Sequence, residues 1–497
     1  MNENLYHRFS ENFPSDPSTP VVIGPDGVIA DYAALDAAAA RFANTLTCMG
    51  AKIGDRVTVQ VEKSLSALWL YLACLRAGLV FHPLNTAYQT SELEYFLGNA
   101  EPKIVVGDGN TVPLLQEVAA KSSRVTTIDE LAASAADASD SFTTVDSAAD
   151  DLAALLYSSG TTGVPKGIML SHRNLSTNSD TLVEAWGFTG EDVLLHALPI
   201  FHVHGLFVAT GCVLMSGAKM YWLNGYAINQ VLEAMPSCSV MMGVPTYYTR
   251  LLGSDEFTKG HAESIRLFVS GSAPLLTETF DAFEARTGHR ILERYGMTET
   301  GMSSSNPLEG DRVAGTVGPP LTGVEIRVVN ADGVTLPAGE PGAVQVKGPN
   351  VFQGYWKLPE KTAMDFTDDG YFDTGDQGMI DDMGYLSIIG REKDMIISGG
   401  LNIYPKEVEL LLDEQSGISE SAVFGVAHAD FGEGVVAAVV ETEPGSLTDA
   451  EVIQSVKSQL AGFKVPKAVV FLNELPRNTM GKVQKKQLRD TYKDLLS

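Results

Sequence analysis

Residues 157–167 read YSSGTTGVPKG and follow directly on the apolar run DLAALL. Two serines, two threonines, three glycines and a lysine set hydroxyls, unhindered backbone amides and one ammonium at a strand end. That equipment suits a chain of phosphates. It is not a P-loop, because Pro165 stands where that loop needs Gly and Gly167 where it needs Ser or Thr. A flexible turn is the plain alternative. His202 and His204 in FHVHG are spaced for one face of a strand, but no third ligand accompanies them, so zinc is not expected. GxGxxA at 432–437 follows AHADFGE, which is not a buried strand, and reads as a strand-joining turn rather than a dinucleotide fingerprint.

Positioning these groups falls to the elements around them. Leu65, Leu68, Trp69, Leu72 and Leu75 recur at three and four, predicting an amphipathic helix ahead of the apolar run LVFHPL. Further strand candidates (KIVVGD, DLAALLYSS, DVLLHALPI, SVMMGV, IRLFVSG) alternate with helical stretches, the pattern of an α/β fold with a largely parallel, helix-wrapped sheet. Residues 127–151, rich in Ala, Ser and Asp without Lys or Arg, read as a loosely packed acidic connection. After about residue 310 short β-like runs punctuated by Gly and Pro predict a β-rich subdomain (311–390), and beyond 390 a small α+β domain (391–497) follows a large body (1–390).

A chain of 497 residues exceeds what one core usually organises, at about 100–200 residues per domain. Lys plus Arg (35) against Asp plus Glu (62) leaves −27, a sign that repels nucleic acid and acidic membranes. Against that background residues 453–497 carry nine Lys or Arg and three Asp or Glu, either a solvated face or a lid bringing positive charge to an anionic substrate. Cys48, Cys74, Cys212 and Cys238 are too scattered for a disulfide framework. The start MNENLYHRFSENFPSD lacks a basic region and an apolar core, so no targeting signal is read and a cytoplasmic location is expected. The most apolar stretches, 67–81 and 206–223, are interrupted by Arg76, Gly78, Gly211, Gly217 and Lys219, short of the ~20 clean residues of a membrane span.

YSSGTTGVPKG closely resembles the phosphate-binding signature of the adenylate-forming superfamily of acyl-CoA synthetases, adenylation domains and luciferases. FHVHG (201–205), YGMTET (295–300), YFDTGD (371–376), GREKD (390–394) and PRNTMGK (476–482) follow in that superfamily's order. The resemblance implies a large N-terminal α/β body with a small mobile C-terminal domain. It also implies ATP, Mg²⁺ and coenzyme A as cofactors. A carboxylate attacks the ATP α-phosphate, expels pyrophosphate and becomes an acyl-adenylate, from which a thiolate displaces AMP.

Residue roles carried over from the resemblance are expectations. Ser158, Ser159, Gly160, Thr161, Thr162, Gly163 and Lys166 would wrap the phosphates, with Thr161 and Glu299 holding Mg²⁺. Thr298 would touch the phosphate near the reacting centre, and Tyr295, followed by Gly296, would stack on adenine. Asp376 would accept from the ribose hydroxyls and Arg391 donate to them, matching acceptor-only and donor-only side chains. Lys482 would bridge carboxylate and α-phosphate oxygens. Lys393 matches the hinge position, and Gly399 and Gly400 would approach the pantetheine arm. On a mobile loop Lys482 would also be open to a lysine acetyltransferase and a deacetylase.

Arg294 stands just before Tyr295, where many fatty-acid and aryl members carry Gly to open an apolar tunnel. A guanidinium there would plug the tunnel and offer a fork to a second carboxylate, unless it pairs with Glu293 or Glu299. Ser272 and His202 would add polar groups to the same pocket. LPIFHVHGL, GVPTYYTRLL, LFVSGSAPLL, LERYGMTET and LPRNTMGKVQKK together look like the branch that activates malonate and methylmalonate. Ser158, where the phosphate loop usually has Thr, and Gly301 after TET depart from it. Competing readings are a ligase for another short-chain or aryl acid, a silent nucleotide or acyl-CoA binder, and a carrier-loading enzyme.

Overall fold

The computed structural model describes residues 2–496 apart from 159–164, 399–400, 429–430, 461 and 479–480. Among the described residues an eight-stranded sheet runs in the order Gly301–Ser305, Leu292–Met297, Leu267–Ser270, Val240–Gly243, Val193–His196, Lys219–Trp222, Pro20–Gly24, Gly27–Asp31. Neighbours are parallel except at the two edges. The inner strands VMMG and LFVS are buried along their whole length, as parallel strands covered on both faces must be. A second, six-stranded sheet is ordered Arg124–Thr127, Ile104–Gly107, Arg56–Gln60, Val80–Pro83, Leu152–Ser158, Lys166–Ser171. Its last pair is the antiparallel stem of the phosphate-loop motif.

The predicted helix is Leu65–Arg76, started by the Ser64 side chain, which accepts from the Ala67 N–H. It is buried all round from Ala67 to Arg76, not on one face, because it lies within a core shared by both sheets. Arg76 is tolerated there because Asp36 lies 2.9 Å from its Nη1.

The loose connection expected over 127–151 is overturned in its first part. Ile128–Ala136 is a helix, opened by a Thr127–Glu130 capping box and burying Ile128, Leu131 and Ala135. Thr followed three residues on by Glu is a helix start that composition alone hides.

Glu325–Val329, Gly342–Lys347, Phe372–Ile380 and Leu386–Arg391 form an antiparallel sheet, the β-rich part that the Gly and Pro punctuation predicted. Ile396–Ser398, Leu401–Ile403, Ile418–His428, Gly432–Glu441 and Ala468–Leu472 build a further sheet between two small apolar cores, covered by Pro405–Asp413, Asp449–Lys457 and Lys485–Thr491. In it Gly432–Glu441 is a strand paired along its length with Ile418–His428, so GxGxxA lies in the strand and only Gly432 meets the turn. Among the described residues no helix is long and apolar enough to cross a membrane.

Candidate active site

The site residues gather at the carboxyl ends of the parallel strands of the large sheet, the edge where open α/β sheets bind ligands. Arg294 lies in the strand Leu292–Met297, one residue after Glu293, so the two side chains leave opposite faces. Arg294 is 4% exposed, and its Nε and Nη2 find no acceptor among the described residues. Neither Glu293 nor Glu299 pairs with it. Burial lowers its pKa to about 10, with Tyr248 and Cys212 opposing. Gly271 makes room: a Cβ there would sit 2.4 Å from Arg294 Cζ.

Ser272 adopts φ 73°, a left-handed conformation rare for a residue with a side chain. That turn carries its Oγ to 3.3 Å from His204 Nδ1, while His204 Nε2 is buried without a partner among the described residues. Burial, then the Arg294 charge, pushes His202 down to about 4 and His204 well below its ordinary value. Both rings are therefore neutral near pH 7. The expected strand through them is absent: residues 204–209 form a π-helical turn. The chain doubles back so tightly there that a Cβ on Gly205 would lie 2.0 Å from the Pro199 carbonyl oxygen.

Near this cluster Asp376, 2% exposed, accepts from the Tyr295 hydroxyl at 2.5 Å and from Arg391 Nε at 2.7 Å. Burial pulls the Arg391 guanidinium down, but Asp376, Tyr295 and Glu299 outweigh it and the net shift is upward. Glu299 is buried, which raises its carboxyl, and Ser158 Oγ donates to it at 3.1 Å. Its turn is held from behind, where Phe352 N–H donates to the Glu299 carbonyl at 2.7 Å and Asn350 Nδ2 to that of Thr300 at 2.6 Å. Gly296 admits the backbone opposite, since a Cβ there would lie 2.0 Å from Gly301 O. Thr298 lies in the same turn, half-buried. Lys166 is buried at the stem, its ammonium 4.7 Å from the Tyr355 ring centre.

Lys482 comes from the C-terminal part of the chain. Asn478 Oδ1 accepts from its N–H at 2.9 Å, and Gly481 packs on Thr246 of the large body. The side chain is exposed yet hemmed in by protein, which lowers its pKa to about 8, with Arg391 and Lys393 adding to the shift and Asp376 and Asp394 opposing it. Lys393 is exposed in the 3-10 turn Glu392–Asp394, beside an Asp394–Arg489 ion pair of 2.9 Å.

The structure thus gathers Arg294, Ser272 and His202 into one cluster and Tyr295, Asp376, Arg391, Glu299, Ser158 and Lys482 into another near it. Ser159, Gly160, Thr161, Thr162, Gly163, Gly399 and Gly400 lie outside the described residues. Sequence reasoning weighed His204 only as a metal ligand and missed Gly271 and Asn350. The glycine of VSGSAP was the one available signal.

Residues 9–356 match the AMP-binding enzyme family, and residues 407–482 match the AMP-binding enzyme C-terminal domain. The chain belongs to the AMP-binding enzyme family. Within that family it is 35% identical to a malonate–CoA ligase of Arabidopsis thaliana, over 90% of this chain and 79% of the relative. Its fold matches that of ATP-bound MatB from Rhodopseudomonas palustris with a TM-score of 0.98 and 52% identity, over the whole of both chains. The apo form of the same family member scores 0.86 at that identity, so the arrangement seen here is nearer the ATP-bound one.

Proposed function

We propose that the protein is an ATP-dependent malonate–CoA ligase that forms an acyl-adenylate and releases AMP and pyrophosphate. One observation supports the choice of acid above the rest: Arg294 is a buried cation with two nitrogens unpaired among the described residues. An unpaired buried charge is costly and favours whatever brings a compensating anion. Malonate has a second carboxylate to place there, with Ser272 and the neutral His202 and His204 as lesser partners. Monocarboxylic acids leave the guanidinium unpaired. Methylmalonate offers the same carboxylate with an added methyl.

The other carboxylate of malonate then faces the nucleotide. Asp376 and Arg391 hold the ribose, and Tyr295 packs beside the adenine. Glu299, a hard oxygen ligand in a buried setting, suits Mg²⁺, which supplies charge neutralisation on the phosphates when bound. A malonate oxygen attacks the α-phosphorus, the bond from it to the bridging oxygen of the β-phosphate breaks, and pyrophosphate leaves with that oxygen. Lys482 stabilises the negative charge shared by the carboxylate and α-phosphate oxygens. The coenzyme A thiol, after losing its proton, attacks the carbonyl carbon, and the carbon–oxygen bond to AMP breaks.

In this reading the unit from 391 onward turns about Lys393 between the two steps. That withdraws Lys482 and brings residues 398–400 toward the thiol. A lysine acetyltransferase acting on Lys482 would stop the first step, and a deacetylase would restore it. The test is incubation with ATP, Mg²⁺, coenzyme A and malonate, methylmalonate, succinate or acetate, following AMP and thioester. Malonate should be used best, and acetate turnover equal to it would sink the proposal.

A further inference from the structure

We infer that Lys63 and His196 are positioning residues for acid binding, which through the Gly205 carbonyl hold the turn that carries His204 and adjoins His202; the inference rests on the ligase reading. Lys63 follows the strand Arg56–Gln60 of the six-stranded sheet and reaches across to the eight-stranded one, at the ends of Val193–His196 and Lys219–Trp222. Its Nζ donates to the His196 and Leu223 carbonyls, each at 2.7 Å, and lies 2.9 Å from His196 Nδ1. Three acceptors match the three N–H groups of an ammonium. Burial pulls the Lys63 pKa well below its ordinary value. Those acceptors, and the face of the Trp222 ring 4.2 Å away, oppose that pull. With Nδ1 accepting, the ring hydrogen of His196 sits on Nε2, 3.0 Å from the Gly205 oxygen. An unprotonated lysine would reverse the ring and turn a bare Nε2 toward that carbonyl, a repulsive contact.

The Gly205 oxygen is where the turn is held. It accepts from Thr210 Oγ1 at 3.0 Å and from the Thr210 N–H, the five-residue hydrogen bond that makes 204–209 π-helical, as well as from His196. Leu206, next along, donates its N–H to the His202 carbonyl at 3.0 Å, and the His204 N–H donates to His202 Nδ1 at 3.3 Å. A continuous run of hydrogen bonds therefore leads from Lys63 through His196 and the turn to the two histidines whose rings feel the Arg294 charge. Among the described residues neither Lys63 nor His196 hydrogen-bonds to Arg294, Ser272 or His202, so their influence passes through the turn. Both are buried. A buried ammonium is a costly way to join two sheets, since an apolar side chain would fill the same space without desolvating a charge. What the apolar side chain could not do is fix which nitrogen of His196 donates, and so where the Gly205 carbonyl points.

Malonate-dependent pyrophosphate exchange would be measured for the unaltered enzyme, Lys63→Met, His196→Phe, His196→Gln and the double variant Lys63→Met/His196→Phe, each checked by thermal melting. In His196→Phe the KM for malonate should rise about tenfold, the scale of one lost buried hydrogen bond, while kcat and the KM for ATP stay within about twofold. Lys63→Met should do the same. His196→Gln, whose amide can donate to Gly205 and accept from Lys63, should recover most of the loss. The double variant should be little worse than either single one, because both break the same run of contacts. If Lys63→Met does not fold, the contrast between His196→Phe and His196→Gln decides alone. A mere tie between the sheets would lower the melting temperature and disturb malonate and ATP alike. That outcome, a Gln variant as weak as Phe, effects that multiply to about a hundredfold in the double variant, or no change in malonate KM would each overturn the inference. Absence of malonate-dependent exchange in the unaltered enzyme would instead overturn the ligase reading beneath it.

Discussion

Arg294 is buried with two nitrogens unpaired among the described residues, whereas nearby Asp376 already holds both Arg391 and Tyr295. The first arrangement keeps a cation desolvated in advance, so the arriving anion recovers a cost the fold has already met. The second keeps its charges satisfied by one another within the fold. A pocket of the first kind discriminates sharply, because an acid lacking the second carboxylate leaves the cost in place. A cleft of the second kind binds with less discrimination and less strain.

The largest expected effect removes the unpaired cation. Arg294→Ala should lower the kcat/KM ratio of malonate over butyrate by up to ~10⁴ while ATP binding persists. A ratio that hardly moves would erase the contrast between the two regions. Lys482→Met should slow malonate-dependent pyrophosphate exchange by about 10²–10³. Thioester formation from supplied malonyl-adenylate should be much less affected, as rapid-quench measurement of the two half-reactions would reveal.

A smaller effect is set by pH. Desolvation by the protein that hems it in, with Arg391 and Lys393 adding to the shift, holds Lys482 near a pKa of about 8, so its ammonium predominates below that value and is lost above it. The kcat/KM of the adenylation step should therefore fall about fivefold between pH 8 and 9. Lys482→Met should not show that limb.

The smallest effect concerns stability. Burial raises the Glu293 carboxyl to about 8, against the opposing Gly315 and Leu275 N–H groups and Lys406. Its unfolded value is about 4.3, so across that window the folded state binds more protons than the unfolded one, and stability falls as pH rises. Glu293→Gln should flatten the decline of Tm between pH 5 and 8. An unchanged slope would mean that the two neighbours Glu293 and Arg294 do not differ as described.

Much of this was legible in one dimension. The strand runs VMMG and LFVS, the helix through Leu65–Arg76 and the change to β-rich texture near residue 310 are short-range patterns, readable because each element's period is written in its own residues. The helix Ile128–Ala136 escaped because alanine and serine carry a weak pattern, and the expected strand through His202 and His204 failed because Gly205 lets the chain fold back on Pro199.

The residue types and their order determined that this protein grips phosphates, joins an acid to a nucleotide and carries a lysine on a separate unit, since such chemistry resides in short motifs. Tertiary structure alone decided that Arg294 meets no carboxylate among the described residues, that Glu293 turns away from it, and that Gly271 leaves it space. It likewise decided that Ser158 meets Glu299 and Tyr295 meets Asp376. Whether a charge is paired depends on atoms brought together from distant parts of the chain, and no local window contains them.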